Sequence, residues 1–175
     1  FVWYAPFLPH TPHNPPQRLL EKYSSEGRPV TIAKYYAMCD WFDETCGQLI
    51  NYLDKANVRD NTLIVYACDN GWIQSPDSRR YAPRSKQTPY EGGIRTPIMF
   101  SWPTKIKPAM RKELCSTIDL APTILAATQL AQDSTLPGLN LLPNLTSSSP
   151  IERKIIFGES FAHDIADIDN PEASL

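Results

Sequence analysis

The side chains best suited to chemistry are a carboxylate and an amide in Asp69-Asn70-Gly71, an ammonium at Lys86, and the imidazoles of His10, His13 and His163. Asp69 and Asn70 offer two adjacent hard oxygens, which suit Ca²⁺ or Mg²⁺ better than zinc. The same tripeptide is also good turn chemistry, with Gly71 allowing a sharp bend after a strand. Lys86 is either a solvated loop lysine or a point charge for an anion. His10 and His13 stand three apart, a spacing that suggests a zinc pair, but Pro9 and Pro12 argue against the helix that would converge them. His13 therefore reads as a rim or packing residue. With only 3 histidines in the chain, a multi-zinc site has little support. His163, in Gly158-Glu159-Ser160-Phe161-Ala162-His163-Asp164, could approach a substrate after a strand.

Elements that could position these groups follow from periodicity. Residues 1–5 are an apolar run suited to a buried strand, followed by a proline-rich loop, 6–16, that carries His10 and His13. Residues 17–30 suggest a short helix and a turn at Gly27. From 31 to about 56 the pattern is helical: Tyr35, Cys39, Phe42, Cys46, Leu49 and Leu53 recur at spacings of four and three, placing them on one face. Thr31 is the expected N-cap. Residues 62–68 form a β-branched apolar run ending abruptly at Asp69, which suits a central strand covered on both faces. The loop 72–93 is long enough to suggest function. Further strands are expected at 97–102 and 154–158, and a helix at 116–130 with Ile118, Ala121, Leu125 and Ala126 inward. The residues between that helix and Ser149 read as an irregular connection. This alternation predicts an α/β layered fold.

Composition excludes several classes. The 175 residues are 42% hydrophobic and 21% charged with a net charge of -2, leaving no basic footprint for nucleic acid. No apolar run approaches the ~20 residues of a membrane span. Prolines, 17 against 7 glycines, are scattered singly as loop punctuation. Cys39, Cys46, Cys68 and Cys115 include no Cys-x-x-Cys pair and read as small buried hydrophobes. Asn144-Leu145-Thr146 fits an N-glycosylation sequon. The opening apolar run without Met, and the end at Leu175 without a closing element, lead us to expect a fragment.

Lys86 is followed by Tyr90-Glu91-Gly92-Gly93-Ile94-Arg95. Before it stand Pro9-His10-Thr11-Pro12, Asp43-Glu44-Thr45-Cys46-Gly47, Asp60-Asn61-Thr62-Leu63-Ile64-Val65 and Asp69-Asn70-Gly71. After it come Asp119-Leu120-Ala121-Pro122-Thr123 and Leu136-Pro137-Gly138. In this order and spacing, from residue 1 to about 145, the chain resembles the C-terminal half of the sulfatase catalytic domain, in the alkaline-phosphatase-like superfamily. The resemblance implies an α/β fold with a mixed, mostly parallel sheet flanked by helices. Residues 1–175 would then be a partial catalytic domain, lacking its nucleophile region and truncated at its C-terminal end.

It also implies roles. Asp69 and Asn70 match late ligands of a divalent cation, usually calcium, with magnesium as the other choice. Lys86 matches the lysine that contacts a sulfate oxygen, and His10 the histidine facing the sulfate or leaving-group oxygen. A group that spreads negative charge over several oxygens is served by a cation, an ammonium and a hydrogen-bond donor. Glu91, Gly92, Gly93 and Arg95 read as architectural. The expected substrate is a sulfate ester, aryl sulfate or sulfated glycan, in a periplasmic, secreted or lysosomal setting. The family nucleophile, a formylglycine made in a Cys/Ser-x-Pro-x-Arg motif, is not among these residues: the four cysteines precede Asp40, Gly47, Asp69 and Ser116. The isolated chain is therefore expected to be inactive. Alternatives are a phosphodiesterase or phosphonate monoester hydrolase on the same frame, or a non-catalytic remnant that binds anions or sugars.

Overall fold

The structure is a computed structural model, describing residues 1–131 and 134–158. The chain divides into two compact units, one of Phe1–Val58 with Asn70–Arg95, the other of Arg59–Asp69 with Thr96–Leu175. The expected position of His163 lies outside the described residues.

In the first unit, α1 (Gln17–Tyr23) packs on α2 (Val30–Lys55). Their seam buries Leu19 from α1 and Ala33, Ala37 and Met38 from α2. This stripe differs from the expected one. Small Ala33 and Ala37 let the backbones approach, whereas Tyr35, Cys39 and Phe42 are only half-buried and Leu49 is exposed. Arg18 and Lys22 of α1 pair with Glu44 and Asp40 of α2 at 2.5 and 2.7 Å. These pairs lie in solvent and fix register more than they stabilise. Pro29, not Thr31, occupies the N-cap, where its fixed φ suits the position before a first turn; the Thr31 hydroxyl instead donates to the Pro76 carbonyl at 2.7 Å. Gly27 does turn the chain, at φ 78°.

The second unit holds β1 (Ile64–Ala67) and β2 (Ile98–Ser101), paired antiparallel with Ile64 opposite Ser101. The expected mostly parallel sheet is not seen among the described residues, which form this two-stranded antiparallel ribbon. A parallel neighbour requires a crossover returning to the same edge. Residues 68–97 instead bring the chain back alongside β1 in the opposite sense. The 3₁₀ turn Arg59–Asn61 leads into β1. It is tied to β2 by an Arg59 guanidinium donating to Ser101 Oγ at 2.5 Å, and to the residue after β2 by the Trp102 indole donating to the Asp60 carbonyl at 2.9 Å. Residues 1–5 and 154–158 are not strands: a strand exists only as one member of a hydrogen-bonded pair, and neither run finds a partner among the described residues. Phe1, Val2, Trp3 and Phe157 are accordingly exposed.

The region 116–130 is a 3₁₀ turn, Thr117–Asp119, running into α4 (Leu120–Ala127), and α5 (Leu142–Ser147) lies within the stretch expected to be irregular. Asp119, Pro122 and Thr123 face inward, while Ile118 and Ala121 are exposed. A polar knot replaces the expected apolar face. Asp119 is fully buried and accepts both Arg153 guanidinium nitrogens at 2.6 and 2.7 Å, with the Ser116 and Leu139 N–H groups at 2.8 and 2.7 Å. Thr123 Oγ1 donates to the Asp119 carbonyl and accepts the Leu141 N–H. A Cβ on Gly138 would strike the Ile118 carbonyl. These contacts give the Asp-Leu-Ala-Pro-Thr and Leu-Pro-Gly motifs one structural cause: they close on each other. Asn144 of the sequon is buried, its amide donating to Glu113 Oε1 at 3.1 Å and the Ser149 carbonyl at 2.8 Å. Those bonds use both amide hydrogens, so a glycan link at Asn144 would break one of them.

Candidate active site

The proline-rich loop of the first unit carries His10 exposed and His13 half-buried. The His10 N–H closes a turn on the Phe7 carbonyl at 2.9 Å, and its ring lies 4.7 Å from the Phe7 ring. His10 Nδ1 sits 2.8 Å from the Thr11 carbonyl. A carbonyl only accepts, so Nδ1 carries the proton and the neutral ring presents Nε2 as an acceptor. To donate from Nε2, His10 must be the imidazolium.

His13 is different. Its ring packs against Tyr35 at 5.6 Å and edge-on to Trp72 at 6.0 Å, which fulfils the packing role. Its Nε2 is buried without a hydrogen-bond partner. Burial pushes its pKa down, the neighbouring His10 and Lys34 charges add to that, and a hydrogen bond to the Pro9 backbone opposes it. His13 is thus held neutral.

The loop after Gly71 is a small hairpin. Gln74 and Tyr81 form a bridge, the Ala82 N–H donates to the Ile73 carbonyl at 2.7 Å, and the Ile73 N–H donates to the Ser85 hydroxyl at 2.6 Å. Ser85 is fully buried, and its carbonyl accepts the Thr88 hydroxyl at 2.6 Å. Gly93 packs onto the Ser85 and Thr88 carbonyls, where no Cβ fits. Gly71 needs its missing Cβ for the same reason, against the Gly92 carbonyl, rather than for a left-handed bend. The Glu91–Arg95 pair forms at 3.0 Å but is exposed at both ends, so the glycine contacts carry the architecture. Gly92 and Gly93 lie within α3 (Glu91–Ile94), a single turn.

This hairpin delivers Lys86. Its Nζ lies 5.9 Å from the centroid of the Trp72 ring, the same ring that meets His13. Of the expected site residues, His10, Asn70 and Lys86 belong to the first unit; ring contacts run from Lys86 through Trp72 to His13, which feels His10 electrostatically. Trp72 was not among the residues that the sequence singled out. The available signal was an aromatic directly after Asp69-Asn70-Gly71 in a loop otherwise rich in polar groups.

Asp69 follows β1 in the second unit, exposed, with the Cys68 thiol 3.7 Å from its Oδ1. Asn70 Nδ2 donates to the Gly71 carbonyl at 3.0 Å, and it is the oxygen of such an amide that suits a hard cation. Two oxygens fit a hard ion chemically but do not make a set. No group of three or more His, Cys, Asp or Glu side chains that could hold a metal occurs among the described residues. Cys39, Cys46, Cys68 and Cys115 are thiols without a disulfide, and all four are half-buried rather than fully buried as expected. Burial raises the Cys46 and Cys115 thiol pKa values, as do the carboxylates of Asp43 and Asp119 respectively.

The Sulfatase family model matches residues 1–130. The chain belongs to the sulfatase family. The uncharacterized sulfatase YdeN of Escherichia coli strain K12 is 31% identical over 171 residues, 93% of this chain and 30% of that protein. Human N-acetylgalactosamine-6-sulfatase is 33% identical over 123 residues, 66% of this chain and 24% of its own length. Among solved structures, BT4656 in complex with its substrate D-glucosamine-2-N,6-O-disulfate superposes with a TM-score of 0.57 at 26% identity, covering 82% of this chain and 30% of that one. This sulfatase chain therefore spans about a third or less of the relatives it matches. No helix among its described residues is long and apolar enough to cross a membrane.

Proposed function

We propose that this chain forms part of the active site of a sulfuric ester hydrolase acting on sulfated sugars. The observation that carries the reading is the placement of Lys86: an ammonium braced on Trp72, in one unit with His10 and Asn70. Lys86 binds and neutralises a sulfate oxygen. His10, with Nδ1–H tied to Thr11, donates from Nε2 to the leaving-group oxygen when it is the imidazolium. Neutral His13 next to it adds no second positive charge to that loop.

Asp69 and Asn70 provide two oxygen ligands for a divalent cation, calcium or magnesium, the rest coming from residues outside this chain. Such a cation supplies positive charge where the transferring group gathers negative charge. The nucleophile, a formylglycine, is likewise placed outside these residues. Sulfated sugars are supported by two relatives, one named for an N-acetylgalactosamine sulfate and one solved with a glucosamine disulfate; others are named arylsulfatases, so aryl sulfates stay in the test. The family resemblance supports a periplasmic, secreted or lysosomal setting.

The test is sulfate release by the full-length polypeptide from sulfated oligosaccharides and from a chromogenic aryl sulfate. Lys86→Ala and His10→Ala should each lower kcat/KM by about a hundredfold, and the isolated 175-residue chain should release none. A Lys86→Ala enzyme with wild-type kcat/KM would refute the assignment.

A further inference from the structure

Trp72 has no chemistry of its own, yet it is held more firmly than a packing residue requires. Its indole N–H donates to Gln74 Oε1 at 3.2 Å. Gln74 is itself buried and cannot swing, because its Nε2 donates to the Ser75, Ser78 and Arg80 carbonyls at 3.0, 2.9 and 3.1 Å. The indole is flanked by His13 and Tyr81 in near edge-on contacts, at 6.0 Å and 77° and at 5.3 Å and 69°. The Tyr35 ring lies against the same indole at 6.3 Å and 32°. Lys86 Nζ is over the indole ring, 5.9 Å from its centroid, within the ~6 Å reach of a cation–π contact.

The two residues emerge from opposite ends of one hairpin, Trp72 before it and Lys86 after it. The bond from the Ile73 N–H to the buried Ser85 hydroxyl clamps those ends together. A lysine stem has four carbons and many rotamers, so an ammonium that must meet an anion gains from a fixed seat.

We propose that Trp72 is a positioning residue for Lys86, its indole face seating the ammonium and Gln74 fixing the indole. The proposal rests on the sulfatase reading only for what Lys86 touches; the seating itself is independent of it.

The test has two arms, both in the full-length polypeptide. In lysine-selective NMR, with the Lys86 signals assigned by Lys86→Arg, the ε-methylene protons should lie upfield from the ring current. They should return to the ordinary lysine position in Trp72→Leu and stay partly shifted in Trp72→Phe. Unchanged Lys86 shifts in Trp72→Leu would overturn the proposal. In sulfate-ester hydrolysis, Trp72→Leu should cost about tenfold in kcat/KM and Trp72→Phe about threefold, the size of an exposed to half-buried cation–π contact. In a Lys86→Ala background the same Trp72→Leu change should cost nothing further, because its effect is spent through Lys86. An equal loss in both backgrounds would assign Trp72 a general structural role and overturn the proposal. If no sulfate ester is hydrolysed at all, the functional reading fails, and the NMR arm alone decides the seating.

Discussion

Replacing Asp119 by alanine removes acceptors for four hydrogen bonds at once: two from Arg153 and one each from the Ser116 and Leu139 N–H groups. Asp119 is fully buried and the Arg153 side chain is 13% exposed. The variant therefore strands a guanidinium and two amides with little access to water. Breaking one side of a buried ion pair costs about 3–5 kcal/mol, chiefly through the partner left behind. For a protein of this length each kcal/mol moves the melting temperature by about 2–4 °C, so Asp119→Ala should melt about 6–20 °C below the parent. Asp119→Ala combined with Arg153→Met should recover part of that loss, since no buried charge remains. Thermal unfolding followed by circular dichroism, with urea midpoints as a second measure, tests this. A single variant within about 1 kcal/mol of the parent would refute the reasoning, because the knot would then be an ornament on a fold held elsewhere.

Two further outcomes follow from the first unit. His13 has a depressed pKa, so folding favours its neutral form. That contribution is present above the ordinary histidine value of 6.5 and is lost as pH falls below it toward the folded value. Urea midpoints between pH 7 and 5 should therefore decline more steeply in the parent than in His13→Gln, and equal slopes would count against the burial argument. Gly47 lies inside α2 with nothing within 4 Å of a built Cβ, so Gly47→Ala should raise stability by about 0.5–1 kcal/mol, read as a higher urea midpoint. No gain would mean that the helix backbone there is constrained in some other way.

The sequence was most readable where one element sufficed. α1, α2 and the cores of β1 and β2 stand where periodicity and β-branching place them, because local spacing and local propensity agree. It was least readable where a neighbour decides. The runs 1–5 and 154–158 have strand composition, yet pairing is a property of two segments. The buried stripe of α2 follows Ala33 and Ala37 because α1 demands a close seam, and no count of large apolar residues reveals that. α5 had a signal in Pro143 near its first turn, masked by the proline and serine around it. At the site, the family motifs pointed to His10, Asp69, Asn70 and Lys86, whereas Trp72 and the neutral state of His13 depend on contacts made only after folding.

The first unit is built from two stretches, Phe1–Val58 and Asn70–Arg95, with residues of the second unit between them. During vectorial synthesis the ribosome must therefore start the second unit before the first can finish. When Val58 leaves the exit tunnel, the helical pair is present but Trp72, Ser85 and Gly93 have yet to emerge. The nascent chain must hold an unfinished body open until residue 95 emerges. No single cut in the gene separates the two bodies, so swapping one between relatives requires two junctions, at 58/59 and 69/70, in addition to one after 95.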